Sequence, residues 1–289
     1  MHTNPPTETS CTGIASVPPN AGPYDKFPTV LMLPPDVFYL EYGDHGVASE
    51  RAATRDLQYA GFLVFQVDHR LAPPNKLPGQ ITDGHPPDQT DDTKRQILAA
   101  LADSQCNGSI YLVGGSAGGC LVLWVMLDSA AGSVPLWTET ARTSIKAVVS
   151  LSGPANLDDW ANPGGISMDD LIKFENNLDN YVGLPDQDHT HATLLAASPV
   201  NLITIGAATS SPPVMLYATT KDPVPYAQAD DMWIALTTAF GNPPGEFTEY
   251  VLPDTTGLHA FNYWHTQNTL VTPSDCVSHQ VITFLQANP

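Results

Sequence analysis

An apolar strand that runs through closely spaced glycines and a serine into an apolar helix can present a single hydroxyl, and Tyr111-Leu112-Val113-Gly114-Gly115-Ser116-Ala117-Gly118-Gly119 has this form. The G-x-S-x-G spacing follows from sterics. A sharp strand-to-helix turn leaves no room for side chains two residues before and two after the serine. The Ser116 hydroxyl is expected to stand exposed at the positive end of a helix, where an alkoxide or oxyanion is stabilised. Five residues alone also fit a Gly/Ser-rich turn in a Rossmann-like domain; the strand before and the helix after favour the catalytic reading.

A serine hydroxyl is a weak nucleophile until a base takes its proton, and that base needs a carboxylate to orient it. Elbows of this kind carry the acid and then the histidine later in the chain. The apolar run Val214 to Ala218 leads to Asp222 in Lys221-Asp222-Pro223-Val224-Pro225, so Asp222 is the expected acid. The run Thr248 to Leu252 leads through Pro253-Asp254-Thr255-Thr256-Gly257-Leu258 to His259, the expected base. Asp254 is the second choice for the acid. His265 is the weaker histidine because it lies beyond the loop, and Asp230 and Asp231 fall inside the next helix on a solvated face. His189 and His191 have a spacing that suits a metal but no third ligand nearby, so no metal is assigned.

The elements that must hold these groups alternate from residue 29 onward, which predicts an α/β fold with a mostly parallel sheet and helices on both faces. Strands are expected at Thr29 to Leu33, Phe62 to Val67, Ser109 to Val113, Ala147 to Leu151, Val214 to Ala218 and Thr248 to Leu252. Helices are expected at about 46–60, 88–104, 117–130, 225–240 and 273–287, the last opening on Thr272-Pro273-Ser274-Asp275. Residues 154–211 break the rhythm, being long, polar and punctuated by Pro and Gly, and read as a lid or cap insertion. Within it Met168 to Tyr181 and Ala192 to Leu202 look partly helical. Trp160, Phe174 and Tyr181 are candidate pocket residues, although for any single one of them packing of the insertion onto the core is the better explanation.

The 289 residues suffice for a single domain with one large core. Eleven basic residues against thirty acidic ones leave a formal charge of −19, which repels a phosphate backbone and excludes nucleic acid as a partner. The longest apolar runs, Gly61 to Val67 and Cys120 to Leu127, fall far short of the roughly 20 residues of a membrane span. A soluble protein is expected. Residues 1–28, rich in Pro, Thr, Ser and Asn, lack the basic start and apolar stretch of a secretory signal, so export would require a signal already removed. Cys11, Cys106, Cys120 and Cys276 form no CxxC pair and read as structural, with any disulfide connectivity left open.

Several segments together resemble esterases of the α/β-hydrolase superfamily, in its hormone-sensitive-lipase-like and feruloyl/acetylxylan-esterase-like branches. Val67-Asp68-His69-Arg70-Leu71-Ala72-Pro73 is similar to their DYRLAP segment and Gly115-Ser116-Ala117-Gly118-Gly119 to their GxSAGG elbow. Ala197-Ser198-Pro199-Val200, Asp222-Pro223-Val224-Pro225-Tyr226-Ala227-Gln228 and His259-Ala260-Phe261 continue the likeness to the end of the chain.

Two departures stand out. Where the resemblance implies His-Gly-Gly-Gly, whose amides help form the oxyanion hole, this chain reads Pro34-Pro35-Asp36-Val37-Phe38. Proline has no N–H to give, so the expected donors are Ala117 with Asp36 or Val37, Phe38 joins the candidate pocket, and the Asp36 carboxylate either ties the loop down or opposes the oxyanion. Loss of one good donor costs about 10² to 10³ in turnover, so a slow enzyme is expected. The family's N-terminal β-hairpin is also missing, replaced by the Pro-rich segment. This shortens the sheet and leaves Phe62 to Val67 at an edge that the N-terminal segment, or a second subunit in a homodimer, must cover.

The implied chemistry is cofactor-free acyl transfer on a small or polymer-attached ester, rising in rate as pH climbs through the histidine range. An amide or formamide hydrolase with the same triad and a non-catalytic binding protein of the same fold are the competing expectations.

Overall fold

The computed structural model describes residues 14–36, 38, 44–72, 84–158, 176–183, 191–243, 245–254, 256–266 and 276–289. Among these residues seven strands, β1 (Ile14–Ser16), β2 (Phe27–Leu33), β3 (Leu63–Gln66), β4 (Cys106–Gly115), β5 (Ile145–Leu151), β6 (Val214–Thr219) and β7 (Phe247–Leu252), form one sheet in the order β1-β3-β2-β4-β5-β6-β7. Every neighbouring pair is parallel except β1 with β3. The carboxyl ends of β2 to β7 therefore lie along one rim, where open α/β sheets carry their sites.

The expected strands read as nearly unbroken apolar runs because both faces of the sheet are covered. In β2 and β4, Leu31, Leu33 and Leu112 enter one core while Val30, Met32, Tyr111 and Val113 enter the other. Helices α2 (Asp88–Ala102), α3 (Ala117–Leu127) and α8 (Ala227–Phe240) cover the first face; α1 (Asp44–Tyr59) and α9 (Val277–Ala287) cover the second. Helix α3 is apolar all round and buried at every position but Trp124, as a helix enclosed on all sides must be. The short α4 (Glu139–Thr143) went unforeseen: five residues are too few for periodicity to register, and the Thr138 hydroxyl caps it at the Ala141 amide. The expected opening of the last helix, 272–275, lies outside the described residues.

The N-terminal segment answers the edge problem. Ile14, Ala15 and Ser16 pair antiparallel with Gln66, Phe65 and Val64, and the Gln58 side chain donates to the Val17 carbonyl. Three residues are too short to show alternation in sequence.

Within the 154–211 insertion, a helix through residues 176–182 (α5), α6 (His191–Ala196) and α7 (Pro199–Thr204) are described. Ser198 anchors this segment: its hydroxyl accepts from the Leu157 amide and donates to the Leu194 carbonyl, both at 2.8 Å. A third apolar cluster then joins Leu178, Tyr181, Leu194 and Ala197 to Phe38, Ala117 and Cys120 at the rim. Cys106, Cys120 and Cys276 are free thiols; burial pushes the Cys120 thiol far up, which keeps it protonated. No described helix is long and apolar enough to cross a membrane.

One pair of carboxylates makes the sheet sensitive to pH. Burial, the hydrogen bond with Asp230 of α8 and its repulsion push Glu249 of β7 up to about 8. A free glutamate titrates near about 4.3, so between the two values the native state holds the extra proton and stability falls as pH rises. Glu249→Gln is therefore expected to raise the melting temperature at pH above about 8 and to leave it unchanged near about pH 4, read by thermal unfolding across pH.

Candidate active site

The turn after β4 has the geometry its sequence calls for. Ser116 sits at φ 50°, ψ −119°, a left-handed conformation that non-glycine residues rarely adopt. A side chain at Gly114 would collide with the Gly118 carbonyl, and one at Gly118 would come within 2.6 Å of the Pro34 carbonyl oxygen. Both glycines are thus required by close backbone approach. The Ser116 amide donates to the Leu151 carbonyl at 2.8 Å, fixing the turn to β5.

In one respect the expectation fails: Ser116 is not exposed but 2 % accessible. The loop after β2 covers one side, with Asp36 and Phe38 both buried, and the turn after His259 covers another. A β-carbon on Gly115 would lie 3.0 Å from the Ala260 β-carbon and from the Phe261 ring, which is how closely the histidine loop approaches the elbow.

Asp222, 2 % accessible and just past β6, meets His259 as expected: its Oδ1 lies 2.7 Å from Nδ1 of the imidazole and also accepts from the Val224 amide at 2.9 Å. Its Oδ2 accepts from the Ser152 hydroxyl. A carboxylate with both oxygens engaged holds its ring in one orientation and keeps the Nδ1–H tautomer.

Ser152 is the residue of this cluster that the sequence did not disclose. It follows β5 at φ 58°, donates its own amide to the Tyr217 carbonyl, accepts from the Ala260 amide at 3.1 Å and lies 2.9 Å from the Tyr263 hydroxyl. One hydroxyl thereby ties Asp222 after β6 to the loop that carries His259. The available signal was a small polar residue at the carboxyl end of the strand beside the elbow.

Asp254, the second choice for the acid, builds the loop instead. It accepts from the Thr256 amide and hydroxyl and from the Leu258 amide at 2.6 to 2.9 Å. Desolvation would raise its pKa, but these bonds and the Gly257 amide outweigh it and hold the carboxyl down at about 2. His265 pairs with Asp56 of α1 at 2.6 Å and is half exposed. Asp231 accepts from Asn156, and Asp230 faces Glu249.

At the expected oxyanion site, the Ala117 amide points at the Asp36 carbonyl, 3.4 Å away, and the Gly118 amide at the Pro34 carbonyl, 3.2 Å away. The Asp36 carboxylate ties its loop down, with Oδ1 accepting from the Phe38 amide at 3.0 Å and Oδ2 lying 3.0 Å from Nε2 of His69. Val37 lies outside the described residues. The Phe38 and Tyr181 rings stack at 4.0 Å and are fully buried, and Tyr181 walls a cavity of about 270 Å³ with Pro86, Pro87, Trp124 and Ala197. Trp160, Phe174 and His189 lie outside the described residues, as does the His191 side chain.

No curated protein matches the chain. Among solved structures, a truncated carbohydrate esterase from gut microbiota is 16% identical with a TM-score of 0.66, covering 95% of this chain and 89% of that one. The acetyl ester-xyloside bifunctional hydrolase of Caldicellulosiruptor lactoaceticus is 17% identical with a TM-score of 0.65, covering 96% and 89%. Butyrate-bound esterase Est2 of Thermogutta terrifontis is 16% identical with a TM-score of 0.62, covering 95% and 86%. These likenesses give the fold, α/β-hydrolase. The BD-FAE family model matches residues 41–236, a span that contains Ser116 and Asp222, stops short of His259 and leaves out the loop after β2. Since that match takes in more than half of the sequence, the chain belongs to the BD-FAE family.

Proposed function

We propose that the chain is a serine carboxylic-ester hydrolase in which Ser116 is the nucleophile, His259 the general base and Asp222 the acid that orients it. The observation that carries this reading is the 2.7 Å contact between Asp222 and His259 Nδ1, on a loop packed against the elbow of Ser116. Ser116 Oγ attacks the ester carbonyl as His259 Nε2 takes its proton; that proton passes to the departing alkoxide, leaving an acyl-serine. Water then attacks the acyl group by the same route and frees the acid. The neighbouring folds named as a carbohydrate esterase, an acetyl ester-xyloside bifunctional hydrolase and a butyrate-bound esterase support the same class for this chain.

The engaged Ala117 amide favours esters over amides. An alkoxide leaves a tetrahedral intermediate more readily than an amine, so ester cleavage asks less of the oxyanion hole, and a hole with one weak donor suits it. Incubation with a p-nitrophenyl alkylphosphonate tests the assignment. One equivalent of p-nitrophenol is expected per chain, with the added mass on the Ser116 peptide and parallel loss of p-nitrophenyl acetate and butyrate hydrolysis. Turnover of anilides faster than of matched esters would favour an amidase, and absence of labelling would favour a non-catalytic binder.

A further inference from the structure

Asp36 sets a problem for the proposed chemistry. A carboxylate sits at 3% accessibility in the loop whose carbonyl touches the Ala117 amide, beside the place where negative charge must develop. Left bare, it would oppose the oxyanion.

The structure supplies a partner. His69, 2% accessible, comes from the segment after β3, the parallel neighbour of β2. Its Nε2 lies 3.0 Å from Asp36 Oδ2 and its Nδ1 donates to the Arg70 carbonyl at 3.0 Å. Nδ1 is hydrogen-bonded, while Nε2 faces the Asp36 carboxylate at ion-pair distance without an aligned hydrogen bond, and a buried imidazole placed against a carboxylate in this way favours its positively charged form. The ring cannot turn away easily, because Arg70 is itself locked: its guanidinium grips Asp92 of α2 at 2.8 and 2.9 Å and its amide donates to the same carboxylate.

Resting on the serine mechanism above, we propose that His69 is a positioning residue that serves as the counter-charge to Asp36, making the loop beside Ala117 compatible with an oxyanion on the acyl group held by Ser116. It touches no substrate; it acts through Asp36. This role is specific to a chain in which an acidic residue stands in the loop after β2, so the two residues belong together as one device.

The titration of the pair fits. Burial pulls the imidazole down, but the charge and hydrogen bond of Asp36, the Arg70 carbonyl and Asp92 outweigh it and push His69 up to about 9. The other charged or titratable groups facing the pair among the described residues are Glu50 of α1, Asp68, Arg70, Asp92 and Tyr181 of α5. Burial, Asp36 and Asp68 raise Glu50 to about 7, so its change falls on the acid side of the profile. Tyr181 stays protonated, held well above its usual value by burial, Cys120 and Asp36. Among the groups that face the pair, the alkaline side therefore belongs to His69. Below its pKa the pair is neutral overall; above it Asp36 stands alone.

The test is kcat against pH for p-nitrophenyl acetate, corrected for spontaneous hydrolysis and for the phosphonate-titrated fraction of Ser116, with thermal unfolding at each pH. Wild type is expected to lose about tenfold in kcat as pH passes about 9, and Asp36→Asn to lose this alkaline limb. At about pH 8 His69→Gln is expected to fall about 10- to 100-fold in kcat with KM within about threefold, and Asp36→Asn/His69→Gln to recover to within about threefold of Asp36→Asn. A purely structural contact would give no such recovery. An alkaline limb that persists in Asp36→Asn, or a double variant as slow as His69→Gln, overturns the proposal while the serine mechanism stands. A wild type whose Ser116 takes no phosphonate overturns both.

Discussion

Ser116→Ala is expected to lower kcat for every ester that the wild type cleaves by about 10⁵- to 10⁶-fold, with the melting temperature unchanged. The size follows from the mechanism, in which no acyl-enzyme forms without the hydroxyl and what remains is the catalysis of a bound ester by amides alone. The unchanged stability follows from the elbow. Its strain resides in the backbone at φ 50° and is imposed by the Leu151 and Pro34 carbonyls and the close glycine contacts, none of which involve Ser116 Oγ. Alanine meets the same steric cost there as serine. Initial rates on p-nitrophenyl acetate and butyrate, with thermal unfolding as the control, give both numbers. Full activity in a folded Ser116→Ala protein would remove the serine mechanism.

What could be read in advance was what is local in the chain. The elbow announces itself because strand, turn glycines and helix lie within nine residues, and Gly114, Gly118 and Gly119 answer to contacts only a few residues or one neighbouring strand away. Asp222 and His259 could be placed because each follows directly on an apolar run that becomes β6 or β7. Ser152 could not, since a serine after a strand carries no motif; its role arises only when β5, β6 and the His259 loop converge. The same holds for Asp36 and His69. Asp36 belongs to the departing loop and His69 to a segment that matches the family, yet each lies three residues beyond its strand, and the parallel pairing of Met32 with Gln66 sends both off the same rim one residue out of step. The burial of Ser116 was hidden for a similar reason, because the covering loops come from distant parts of the sequence. β1 escaped because three residues are long enough to cover an edge and too short to show a period.

The choice between two aspartates gives the second large effect. Asp222→Asn is expected to lower kcat by about 10⁴-fold with KM little changed, because an amide facing Nδ1 favours the wrong tautomer and cannot steady the imidazolium. Asn keeps the shape, and its side-chain oxygen can still accept from the Val224 amide or the Ser152 hydroxyl, so the fold is expected to survive. Ser152→Ala, which frees Oδ2 of the acid and the Ala260 amide but leaves the 2.7 Å contact to His259, should cost much less, about tenfold.

Asp254→Asn separates chemistry from scaffolding. Asp254 binds the Thr256 and Leu258 amides, and its folded-state pKa of about 2 lies below that of a free carboxyl. Its contribution to stability is therefore present above about pH 4 and lost as pH falls through about 2. The variant should melt earlier than wild type at neutral pH, the difference closing toward about pH 2, while kcat measured well below the melting range falls far less than in Asp222→Asn. If Asp254→Asn instead lost about 10⁴ in kcat and Asp222→Asn only stability, the roles of the two carboxylates would be exchanged. The contact to Nδ1 decides the expectation: a carboxylate that meets the imidazole governs the proton, whereas one that meets only the amides and hydroxyls of its own loop and the neighbouring strand governs the loop on which the imidazole is carried.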